Sequence, residues 1–261
     1  MRLPLYQVDA FTDRVFAGNP AAVVPLEEWL PDATMQAIAA ENNLSETAFL
    51  VPEGEGWGLR WFTPAVEVDL CGHATLASAF VIATILKPGA ERMVFRTLKA
   101  GALTVTREGD RYTMDFPSRP PGPVAVPDTL LPALGGAAPK AVLAARDFFV
   151  VYGTAAEVAA LAPNFEALAR YDRMVIVTGP GEGGVDFVSR FFAPGKGIPE
   201  DPVTGSAHCT LIPYWADRLG KADMTARQIS ARGGDVTCGL RGDRVLIGGR
   251  AVLFLEGVIH V

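Results

Sequence analysis

Residues 200–211 read EDPVTGSAHCTL, a mixture of side chains suited to holding an anion and moving a proton. Gly205 and Ser206 stand directly before the apolar-periodic run LIPYWADRL, so they open a helix whose first amides have no internal acceptor. Such an end attracts an anion, because the free N–H groups and the helix dipole point the same way. Asp201 beside Pro202 can orient a ligand or simply shape a turn. His208 falls within the first turn of the helix. A second group lies upstream, where Cys71, Gly72 and His73 open an apolar run that ends near residue 86. Gly72 and His73 would offer paired amides, and the imidazole can donate to a ligand or shuttle a proton. Cys71 suits a thiolate nucleophile or base, although a buried small apolar residue is the simpler reading. Glu46 precedes an apolar strand, where burial would raise its pKa towards that of a general acid/base. Taken alone, it is more simply a solvated carboxylate at a strand mouth.

An internal echo ties the two groups together. Arg60-Trp61-Phe62-Thr63-Pro64 is matched by Arg190-Phe191-Phe192-Ala193-Pro194, 130 positions later. At an offset of 133, Glu67 matches Glu200, Gly72 matches Gly205, and Ala74 matches Ala207. Each copy reads as an aromatic strand ending at proline, an acidic loop, a glycine with a polar neighbour, and an apolar helix. Self-similarity of this length predicts two halves of one design.

The remaining elements fit that plan. Alternation over residues 5–11 predicts an opening strand, a turn follows at 16–20, and Asp32 is placed to cap a helix through ATMQAIAAENN. Strands are expected at 44–51, 58–62, 93–97, 102–107 and 112–116, with a buried helix at 73–86. Four prolines within residues 117–123 predict a stiff connector that continues neither sheet nor helix. Beyond it, strands are expected at 148–152, 174–178, 185–192, 228–231, 244–247 and 252–259, with helices near 155–169 and after Gly205. Many strands around one long apolar helix per half make an α+β design.

Composition bounds the partners. The 261 residues are 49% hydrophobic and 20% charged, with a net charge of −6 and no basic cluster, which argues against nucleic acid or an anionic membrane. No apolar run is long enough to span a bilayer. The N-terminal residues lack a signal-peptide core. Three scattered cysteines fit a reducing cytoplasm better than a disulfide framework. No CxxC or HExxH spacing occurs, so no structural metal is expected.

Gly18-Asn19-Pro20, NLSETAF at 43–49, DLCGHAT at 69–75 and EDPVTGSAH at 200–208 together resemble the phenazine-biosynthesis PhzF-like family, which has the diaminopimelate-epimerase fold. The resemblance implies two pseudo-symmetric halves, residues 1–117 with a returning strand at about 251–261, and residues 118–250. Each would be a curved, mostly antiparallel sheet wrapped round a central helix, with the active site in the cleft between them. It also implies a homodimer. In the family's isomerase a glutamate moves a proton between ring carbons, and that glutamate falls on Glu46. The histidine of its Gly-His falls on His73 and the aspartate of its Asp-Pro on Asp201. Substrate-binding positions are then Asn19, Gly72, Gly205 and Ser206. Epimerases of the same fold use two cysteines, and here the second place holds Thr204. The resemblance therefore implies a cofactor-independent isomerase of a small carboxylated metabolite. An amino-acid epimerase or racemase using Cys71, and a non-catalytic small-acid binding protein, are the alternatives.

Overall fold

Strand Arg2–Ala10, RLPLYQVDA, is apolar enough to be covered from both sides, and in the computed structural model, which describes residues 1–261, it is. It pairs antiparallel with Ala251–His260 along one edge and with Asn19–Pro25 along the other. Asn19–Pro25 runs parallel to Glu46–Glu53, which turns back antiparallel into Gly56–Phe62. A parallel pair needs a crossover, and helix Asp32–Asn42 supplies it. Gly56–Phe62 then pairs in parallel with Arg92–Arg96, which continues antiparallel through Ala102–Glu108 to Arg111–Pro117. These strands form the unit Met1–Asp115 with Gly248–Val261.

The second unit, Phe116–Ile247, repeats the order of pairings. Phe148–Val151 runs parallel to Val175–Pro180, which is antiparallel to Phe187–Ala193. Phe187–Ala193 pairs in parallel with Asp223–Gln228, and that strand is antiparallel to Gly234–Arg241. The fold is α+β, each unit carrying a mixed, mostly antiparallel sheet and one long buried helix.

That helix is Gly72–Val81 in the first unit and Gly205–Leu219 in the second. Small residues in GHATLASAFV let the backbone approach the strands closely. Its hydroxyls are satisfied internally: Thr75 Oγ1 donates to the Cys71 carbonyl at 2.6 Å and Ser78 Oγ to that of Ala74 at 2.7 Å. Neither buried helix nor the crossover is long and apolar enough to cross a membrane, and no other helix is either.

Several expected boundaries are corrected. The helix expected to reach residue 86 widens into a π-helical turn over Ile82–Leu86, closed by a 2.7 Å bond from the Lys87 amide to the Ile82 carbonyl. Asp32 is not the cap: Pro31 takes that place, and the Asp32 carboxylate accepts from Arg60 Nη1 at 2.8 Å instead. The single helix expected near 155–169 is two short pieces, Ala155–Ala159 and Phe165–Leu168. Pro163 lies between them, and Thr154 and Asn164 provide separate caps. The proline-rich connector does join a sheet, since Gly122–Pro123 pairs with Leu143 and Ala144, a short edge where a missing N–H is tolerated. The strand expected at 228–231 ends at Gln228, because Ser230 turns away to donate to the Pro202 carbonyl.

Candidate functional site

Glu46 owes its position to a sharp exit from helix Asp32–Asn42. Asn43 adopts a left-handed backbone (φ 49°) that ends the helix, and the Asn42 amide bonds Thr47 Oγ1 at 3.1 Å. The chain thereby enters strand Glu46–Glu53 with Glu46 beside Ala21 of the neighbouring strand. Asn19 is placed by a different device. Gly18 has φ +65°, and a Cβ there would lie 2.2 Å from the Ala10 carbonyl oxygen, so only glycine fits. The buried Asp9 carboxylate accepts from the Phe16 amide at 3.0 Å and steadies the same loop.

His73 joins these two. Its Nε2 lies 3.2 Å from Glu46 Oε2, a close contact without hydrogen-bond geometry, and its Nδ1 lies 3.2 Å from the Asn19 side-chain amide nitrogen. In the tautomer that accepts from this amide at Nδ1, the ring proton is on Nε2. Burial pushes the His73 pKa down to about 3, against a smaller upward pull from the Pro20 carbonyl, so the ring is neutral at physiological pH. Cys71, the residue that caps the helix start, holds Sγ 3.4 Å from His73 Nδ1. One ligand atom each from Glu46, Cys71 and His73 lies within 4.8 Å of the others, so this group has the donor types to hold a cation. Gly72 is the first residue of the helix.

Asp201, Gly205 and Ser206 are brought together in the second unit. Thr204 Oγ1 donates a short bond to the Asp201 carboxylate. Gln228, completely buried, fixes the turn from behind: its amide nitrogen donates to the Asp201 carbonyl at 2.7 Å, and its oxygen accepts from the Thr204 amide at 2.9 Å. His208 Nδ1 donates to the Thr204 carbonyl at 2.9 Å, which leaves Nε2 as a buried acceptor. Burial lowers the His208 pKa to about 4, so this ring too is neutral.

Two residues beside the helix start were not foreseen from the sequence. Arg146 Nη2 donates to Ser206 Oγ at 3.0 Å and is oriented by the buried Asp147 carboxylate at 2.8 Å. Gln228 is the other. Its strand buries Met224, Ala226 and Gln228 in alternation, so a polar residue in an apolar register was the available signal. Arg146 offers no comparable signal, since it acts across sixty residues.

The model of the phenazine biosynthesis-like protein family, PhzC-PhzF, matches residues 8–257. An uncharacterized isomerase of Pseudomonas aeruginosa is 52% identical over the whole of both chains. A PhzF-family crystal structure from Enterococcus faecalis is 48% identical and superposes over all of both chains with a TM-score of 0.96. A predicted epimerase of P. aeruginosa, 22% identical over 99% of each chain with a TM-score of 0.77, shares the fold.

Proposed function

The chain is an isomerase of the phenazine biosynthesis-like PhzC-PhzF family, and on that premise we propose that it moves a proton between two carbons of a small carboxylated substrate with Glu46 as the single acid/base. The observation that carries the reading is the buried Glu46 carboxylate 3.2 Å from the Nε2 of a neutral His73. A carboxylate takes a proton from an acidic carbon, and the resulting carboxylic acid returns it to another carbon on the same face. Neutral His73 supports both states, because it places no fixed charge beside Glu46. Its Nε2 lies close enough to steady the carboxylate form once the two side chains align during turnover. Asn19 holds the ring through Nδ1, and the amides at Gly72 and His73 suit charge developing on the substrate.

Asp201, Gly205 and Ser206 are assigned to substrate orientation. Thr204 and Gln228 fix the Asp201 carboxylate and its backbone, so it is built to hold one direction rather than to titrate freely. The 15-residue helix that starts at Gly205 favours a carboxylate at its open amides, and Arg146 adds a guanidinium beside Ser206. Inversion by two thiols has less support, because Thr204 stands where a second cysteine would be needed, although Cys71 lies beside His73.

The same reading extends to a cytoplasmic homodimer. All three cysteines are buried free thiols, which suits a reducing compartment. Phe254, Leu255 and Val258 on the final strand are exposed, an apolar group that a second copy would cover.

The test is turnover of candidate carboxylated substrates in deuterated water. Rearranged product labelled at the receiving carbon supports the proposal. Stereo-inverted product assigns the chain to the epimerases, and binding without label or turnover assigns it to the small-acid binding proteins.

A further inference from the structure

We infer that Glu46, Cys71 and His73 form a three-ligand site for a thiophilic divalent cation of the Zn²⁺ type, a ligand class separate from the carboxylated substrate. The donor set is mixed: one carboxylate oxygen, one thiol sulfur and one imidazole nitrogen, all within 4.8 Å of one another. Mixed sulfur, nitrogen and oxygen donors select Zn²⁺-like ions over the hard cations Mg²⁺ and Ca²⁺.

The donors stand close to tetrahedral spacing in pairs, with Cys71 and Glu46 facing opposite nitrogens of the His73 ring. With Zn–S near 2.3 Å and Zn–N near 2.0 Å, sulfur and nitrogen ligands stand about 3.5 Å apart, and nitrogen and oxygen ligands about 3.3 Å. Cys71 Sγ is 3.4 Å from His73 Nδ1, and Glu46 Oε2 is 3.2 Å from His73 Nε2. Nδ1, on the Cys71 side, enters the coordination sphere in place of its contact with Asn19 while Nε2 keeps the ring proton, and rotation of the Glu46 side chain brings the carboxylate round as third donor. A fourth position is left for water.

Electrostatics favours the same occupant. All three residues are at most 9% exposed, so a lone buried charge would be costly. One dication with a thiolate, a carboxylate and a neutral imidazole sums to zero. The thiol gives up one proton to solvent as the metal–sulfur bond forms, and no electrons are exchanged. Cys71 stands at the open end of helix Gly72–Val81, and Thr75 fixes its backbone through a 2.6 Å bond.

The functional consequence rests on the proposed role of Glu46. A cation bound there takes the carboxylate that would move the proton, so it arrests turnover until a chelator removes it. The test uses the full-length chain with Co²⁺ as a spectroscopic probe and Zn²⁺ in competition with a chromogenic chelator. One equivalent should bind at micromolar concentration or below, with the intense near-ultraviolet band of a cobalt thiolate. Cys71→Ser keeps the side-chain shape and should lose that band and at least about tenfold in affinity. Zn²⁺ should raise the thermal midpoint of the parent and leave that of Cys71→Ser unmoved, a readout that also shows the variant to be folded. A cobalt thiolate band that persists in Cys71→Ser, or Zn²⁺ affinity equal in the two proteins, overturns the site. Loss of binding with parental isomerase activity leaves the Glu46 reading intact. Retained binding in an enzyme whose Glu46→Gln variant still turns over removes the catalytic reading and keeps the metal site.

Discussion

The Arg60 guanidinium holds Glu67 through two parallel bonds of 2.7 Å, from Nε and Nη2. The matching pair in the second unit, Arg190 and Glu200, repeats the geometry at 2.8 Å. Each arginine also lies over the phenylalanine two residues on, Phe62 at 5.2 Å and Phe192 at 4.9 Å. Each glutamate stands at the start of the loop that leads into a buried helix. Each fork thus ties an aromatic strand to the loop that aims a helix start.

Arg190→Lys should therefore cost more than a surface substitution. Lysine cannot reproduce a planar fork, and the variant also loses the bond to the Leu161 carbonyl at 2.9 Å. The pair is mostly shielded, with side chains 12% and 18% exposed. Urea denaturation should show a loss of about 2–3 kcal/mol, and a change under about 0.5 kcal/mol would mean the fork contributes nothing.

Glu46→Gln keeps shape and hydrogen bonding but cannot accept a proton. It should bind a carboxylated ligand nearly as well as the parent and lose at least about 10²-fold in kcat. Cys71→Ser should stay within about tenfold, or about 1.4 kcal/mol of barrier. The opposite ranking would transfer the chemistry to the thiol.

Arg146→Met removes the guanidinium while keeping the length of the side chain. If the helix start at Gly205–Ser206 holds a carboxylate, KM should rise about tenfold or more with little change in kcat, and the salt dependence of KM should weaken. Ser206→Pro, which removes an amide and a hydroxyl together, should be worse. Parental KM in both would dismiss this anion site.

His73 and His208 make a pH signature. Both have pKa values lowered by burial, to about 3 and about 4, from an ordinary value near 6.5. Between those limits the unfolded chain binds more protons than the folded one, so stability is full above about pH 6.5 and is lost as pH falls towards 4. From pH 7 to pH 5 each histidine should account for about 2 kcal/mol, read as a falling denaturation midpoint. His208→Gln should flatten the slope by about half, and a midpoint independent of pH would show that the rings are not buried neutral.

How much of this was readable in advance depended on sequence distance. Gly18-Asn19, Glu46 and Cys71-Gly72-His73 lie in short motifs whose local turn and cap chemistry is visible residue by residue. Strands such as Phe148–Val151 announce themselves by apolar runs. Gln228 and Arg146 work through partners 24 and 60 positions away, and only the folded sheet brings them there. Strand Gly234–Arg241 was missed because two glycines, an aspartate and a cysteine blur its alternation. The break at Pro163 was legible, since proline ends a helix, yet one continuous helix was expected near 155–169.

The pairing of Arg2–Ala10 with Ala251–His260 fixes when the first unit can be finished. During synthesis the first strand leaves the ribosome early, yet its long antiparallel neighbour follows only after the whole second unit. Until then one edge of the opening strand carries unpaired N–H and C=O groups beside apolar side chains, a template for the wrong partner. The second unit has no such wait. Vectorial synthesis therefore makes the later-born unit the earlier one to mature, and the lag between them is the interval in which the nascent chain depends most on protection from aggregation.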